Sequence, residues 1–159
     1  MYVLIFNAEK QRNKYISTII QFAVETGMRR SEILKLTWND VNLDTRIASL
    51  YDTRNGDDRL IPLTKTAIQL LSNLSQSSEF VFPISPNCLR LAWERCRNKS
   101  NIKGLRFHDL RHEAVSRFFE MGLSVPKVAL ISGHKDVRQL CRYTHLKTEN
   151  LIAKYSQIF

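Results

Sequence analysis

The sequence predicts a mixed α+β domain, mainly helical, with a small antiparallel sheet. Two observations lead there. Apolar residues recur at helical spacing along most of the chain, and one tract, "IASLYDTRNGDDRLIPL", reads instead as two short strands around Asn55-Gly56, a dipeptide favoured in hairpin turns. With 159 residues, 43% of them hydrophobic and 25% charged, the chain fits one domain able to bury a core without disulfides or metal.

Between residues 13 and 25, Ile16, Ile19, Ile20 and Ala23 mark one helix face, and Gly27 stands where a helix end commonly needs positive φ. Ser31 and Glu32 open a short second helix through Leu36. "WNDVNLDTR" is a turn-rich connection to the strand pair, whose hairpin is expected to thrust Arg54 and Arg59 outward. Helical spacing resumes over residues 64–75 through Ala67, Leu70, Leu71 and Leu74, and "EFVFP" is a brief extended segment. Pro86 starts a helix through Leu89, Leu91, Ala92 and Trp93 to about residue 98. A loop with Gly104 precedes a helix over residues 108–122. "SVPKVALIS" forms another, with Ser124 as cap and Gly133-His134 as stop, and "DVRQLCRYTHL" and "TENLIAKYSQI" supply two final helical pieces.

The chain carries 24 Lys+Arg against 15 Asp+Glu, a net charge of +9, which points to a polyanionic partner, nucleic acid above all. Cys88, Cys96 and Cys141 lack the paired spacing of a zinc site or a disulfide framework, so they read as small reduced packing residues in a reducing cytoplasm. No apolar run approaches the length of a membrane span, and the apolar part of "MYVLIFNAEKQRNK" is too short for a signal peptide.

The densest chemistry lies in "LRFHDLRHEAVSRF", residues 105–118. His108 and His112 could share a helix face as zinc-binding histidines do, but Asp109 stands where a metalloprotease needs Glu, and Arg111 would set a permanent cation beside the metal. There is no "GxSxG" elbow and no phosphate-binding glycine-rich loop. Arginine with histidine remains. Guanidinium forks grip two oxygens of a phosphate and neutralise charge gained in a phosphodiester transition state, while histidine moves protons near neutral pH. Such a site needs no metal, but it needs a nucleophile.

Three stretches, "TGMRRSEILKL", "HDLRHEAVSRFFEMG" and "ISGHKDVRQLCRYTHL", together resemble the tyrosine recombinase, or phage integrase, family from about residue 10 to residue 147. The resemblance implies that family's catalytic-domain fold and assigns Arg29, with Arg30 as the weaker alternative, His108 and Arg111 of His-x-x-Arg, His134 after Gly133, and Tyr143 as nucleophile. It further implies attack by Tyr143 on double-stranded DNA, leaving a 3′-phosphotyrosyl link and a free 5′-hydroxyl, with no cofactor, metal or ATP. His108 is the family's proton acceptor, the two arginines clamp the nonbridging oxygens, and His134 adds a hydrogen bond. Asp109 and His112 are left structural roles, and His112 could orient its neighbours.

One position departs from the family's pattern. A lysine in the hairpin loop protonates the leaving oxygen in similar proteins, whereas this chain reads Thr53-Arg54-Asn55-Gly56, and arginine gives up a proton poorly. Lys65 or Lys103 could substitute, or cleavage is slow. The resemblance also implies a single catalytic domain over residues 1–159 without the family's preceding DNA-binding domain, self-association on DNA, and an exchange segment over residues 148–159. The rival readings are a noncatalytic DNA-binding protein on the same scaffold and a type IB topoisomerase-like relaxing activity.

Overall fold

The computed structural model describes residues 2–51 and 58–144. Among them the chain runs α1 (Tyr2–Glu9), α2 (Tyr15–Thr26), α3 (Arg30–Lys35), β1 (Val41–Asn42), β2 (Ile47–Leu50), β3 (Arg59–Pro62), α4 (Lys65–Ser72), α5 (Pro86–Lys99), α6 (Asp109–Glu120), α7 (Val125–Ser132) and α8 (Arg138–Cys141). This is the mainly helical α+β class that the sequence predicts.

Helix α2 is the central post. Its Ile16, Ile19, Ile20 and Ala23 are all buried, and it packs against α1, α4, α5 and α6. Gly27 ends it at φ 64°, with its N–H donating to the Ala23 carbonyl at 2.9 Å. The chain therefore turns at once, and Arg29 becomes the residue that caps α3.

The three strands form one antiparallel sheet in the order β1-β2-β3, with Val41 opposite Ala48 and Leu50 opposite Arg59. The expected strand pair is present; Arg54 and the Asn55-Gly56 tip lie outside the described residues. Along β3, Arg59 and Ile61 are buried while Leu60 and Pro62 are exposed. Arg59 thus turns inward, which corrects the expectation that the hairpin thrusts it out.

Local capping explains most remaining boundaries. The Thr64 hydroxyl accepts from the Ala67 N–H at 3.0 Å to start α4, and the Ser85 hydroxyl accepts from the Cys88 N–H at 3.1 Å to start α5 behind Pro86. Ser124 occupies the cap position of α7, but its side chain makes no capping bond. The "EFVFP" tract bridges back from Phe80 to Thr37 and carries Val81 and Phe82 into the core.

Sequence periodicity did not announce α1. Its "YVLIFNAE" is apolar nearly throughout and shows no stripe, yet Leu4 and Ala8 are buried where it meets α2 and α5. Cys96 is buried as expected, but Cys141 is exposed, its thiol donating to the Val137 carbonyl at 3.7 Å. The main core lies around α2, and a second, smaller cluster of Ala114, Val115, Phe118, Val128 and Leu140 lies under α6, α7 and α8, with Tyr143 packed on it.

Candidate functional site

Arg111 leaves α6 pointing inward and is only 4% exposed, so its charge needs internal partners. It finds them at two helix ends. Its Nη1 donates to the Gly27 carbonyl at 2.6 Å, just beyond the end of α2, and its Nη2 donates to the carbonyl of Ser132, the last residue of α7. Helix C-termini present unsatisfied carbonyls and the negative end of the macrodipole, so they suit a buried guanidinium. Burial first, then the Arg29 charge, still brings the Arg111 pKa down to about 10. It remains a cation at neutral pH.

Arg29 sits at the start of α3, where its own N–H donates to Glu32 at 2.6 Å and its Nη1 donates to the same carboxylate at 2.8 Å. Its Nη2 reaches the Gly133 carbonyl at 3.3 Å. Both arginines are therefore docked on the same end of α7. Arg30, by contrast, is exposed and not tethered in this way.

Glu32 also accepts from Nη2 of Arg59 at 2.7 Å, so one carboxylate bridges two guanidiniums. Burial pushes Glu32 upward, but the Arg29 hydrogen bonds and the two cations outweigh it and hold the carboxyl below its usual range. Burial likewise lowers Arg59, with Glu32 opposing. The Arg59 Nε has no hydrogen-bond partner among the described residues, and the guanidinium lies against Gly133. Sequence reasoning missed both Glu32 and Arg59. The signal was there for Arg59: in "RLIPL" it alternates with Ile61 and Leu63, the buried face of a strand.

His134 follows the α7 stop. The Ser132 hydroxyl donates to the Val128 carbonyl at 2.5 Å, so its oxygen accepts from the His134 Nδ1–H, 2.7 Å away. That leaves Nε2 as the free ring nitrogen. Burial, then Arg111, Arg29 and Arg59, push the imidazole pKa down to about 4. It is neutral unless an anion arrives to offset those cations.

His108 precedes α6 and lines a cleft of about 1280 Å³ together with Arg29, Arg30, Glu32, Arg106 and Arg111. Burial and then His112 lower its pKa. Tyr143, half-buried just after α8, hydrogen-bonds through its hydroxyl to Nδ1 of His112. The structure thus brings Arg29, His108, Arg111, His134 and Tyr143 to one region, while Arg54 lies outside the described residues. Asp109 serves its own helix start, accepting from the Arg106 N–H at 2.8 Å.

Two guanidiniums fixed on carbonyls, a third behind them, an imidazole and a phenol form an arrangement that could bind an anion and present a nucleophile to it. Comparisons with known proteins identify the family. The model of the phage integrase family matches residues 2–150. A shufflon-specific DNA recombinase of Escherichia coli is 40% identical over 147 residues, covering 91% of this chain. The chain spans 38% of that relative's length. The catalytic domain of bacteriophage HP1 integrase superposes with a TM-score of 0.79 at 23% identity, over 98% of this chain and 89% of that one. A lambda integrase dimer bound to a COC′ core site superposes at 0.73 and 19% identity, over 92% of this chain and 58% of that one.

Proposed function

The chain belongs to the phage integrase family, and from that premise we propose that it performs site-specific DNA recombination by cutting and rejoining strands through Tyr143. The phenol attacks a backbone phosphorus, the 3′ end becomes linked to Tyr143, and the freed 5′-hydroxyl of one strand later resolves the link on another. Each bond broken is replaced by one of the same kind, so the exchange runs without ATP or metal. Arg29 and Arg111 hold the nonbridging oxygens, and His108 and His134 flank the phosphate. Electrostatic stabilisation by fixed donors contributes about 3 kcal/mol per donor in such sites.

The observation that supports this reading most is the Tyr143 hydroxyl bonded to His112 on α6, the helix that also carries Arg111, whose guanidinium shares the α7 end with Arg29. Double-stranded DNA is the substrate, and two or more copies assemble on it, as in the lambda integrase complex. The work is done in the cytoplasm of a bacterial or phage-infected cell. No described helix is long and apolar enough to cross a membrane.

The test uses duplexes nicked near a randomised segment, so that a cut strand diffuses away and the protein stays covalently attached. A band surviving denaturation, lost in Tyr143→Phe, is the expected result. Retention of DNA without any such band supports a second reading, a noncatalytic DNA-binding protein on this scaffold, which arginine in place of the family's hairpin lysine at Arg54 favours. Relaxation of supercoiled plasmid by monomers would mark topoisomerase-like chemistry instead.

A further inference from the structure

The two histidines at the start of α6 face different partners. His112 lies one turn along the helix from His108, and its Nδ1 is bonded to the Tyr143 hydroxyl. The His112 and Tyr143 rings stack, with centroids 5.9 Å apart and planes 26° from parallel. His108 meets His112 edge-on at 5.0 Å between centroids and lines the cleft with Arg29 and Arg111. One histidine therefore addresses the phenol and the other the cleft.

Resting on the reading of Tyr143 as nucleophile, we propose that His112 is a catalytic residue whose Nδ1 takes the Tyr143 proton during cleavage and returns it during rejoining. With Nε2 carrying the ring's hydrogen, Nδ1 is an acceptor already in contact with the proton it must remove. The stacked ring fixes the direction of the phenol. The step balances. The Tyr143 O–H bond breaks and its proton passes to Nδ1, giving an imidazolium. The phenolic oxygen bonds to phosphorus, the P–O5′ bond breaks, and the 5′ oxygen departs with a proton from water. In the reverse direction a 5′-hydroxyl attacks, and the imidazolium protonates the departing phenolate.

The experiment uses the full chain on a duplex recovered from the randomised nicked pool, alongside the same duplex with sulfur replacing the 5′ bridging oxygen, a leaving group that needs no proton. His112→Asn keeps a hydrogen-bonding atom near the Nδ1 position but accepts no proton. Its adduct formation should slow by about 100-fold or more at an unchanged unfolding midpoint, the loss should persist on the sulfur-bridged duplex, and added imidazole should restore part of the rate to His112→Ala. Adduct formation within about threefold of wild type overturns the proposal, as does a defect that the sulfur substitution abolishes, which would put His112 on the leaving-group side. A wild-type chain that forms no adduct overturns the reading of Tyr143, and this proposal with it.

Discussion

A β-carbon at Gly133 would collide with the Arg59 guanidinium, and the residue's φ of 68° lies in the left-handed region that alanine avoids. Gly133→Ala should therefore cost about 1–3 kcal/mol in a urea melt. Because the Gly133 carbonyl also takes a hydrogen bond from Arg29, adduct formation should fall as well. His134 makes a separate prediction about acid. Its folded pKa, about 4, lies below the ordinary 6.5 of an unfolded histidine, so its contribution is fully present above 6.5 and is lost as pH falls toward 4. His134→Gln should flatten the stability curve across that window in melts run at successive pH values. Arg29, His108, Arg111, His134 and Tyr143 were legible because each sits at a fixed offset within a short motif. The inward turn of Arg59 and the pairing of His112 with Tyr143 depend on partners far along the chain, which local spacing does not encode.

At the scale of elements, the strand pair and the amphipathic helices could be read from alternation and helical spacing, because one face of each meets the core. Helix α1 could not, since an almost wholly apolar segment carries no stripe, and contact with α2 and α5 decides which of its side chains are buried. The hairpin bears its own prediction. Arg59 anchors β3 through Glu32 to the start of α3. Arg54→Lys should accelerate adduct formation, because lysine gives up a proton more readily than arginine does. Unchanged or slower cutting in a single-turnover assay would remove the leaving-group role from that loop.

For the whole molecule, the net charge of +9 makes the proposed association with DNA testable through its salt dependence. Affinity measured between about 50 and 200 mM salt should fall linearly on logarithmic axes, with a slope near −0.9 for each phosphate neutralised. A flat line would remove backbone contacts as the source of binding. The anchoring of Arg111 has a consequence for how the protein is made. Its two carbonyl partners come from opposite ends of the described chain, Gly27 early and Ser132 late, so a nascent polypeptide still lacking the latter has no finished grip. On the ribosome, the clasp around that guanidinium closes only once Ser132 has emerged and α7 has folded against α6.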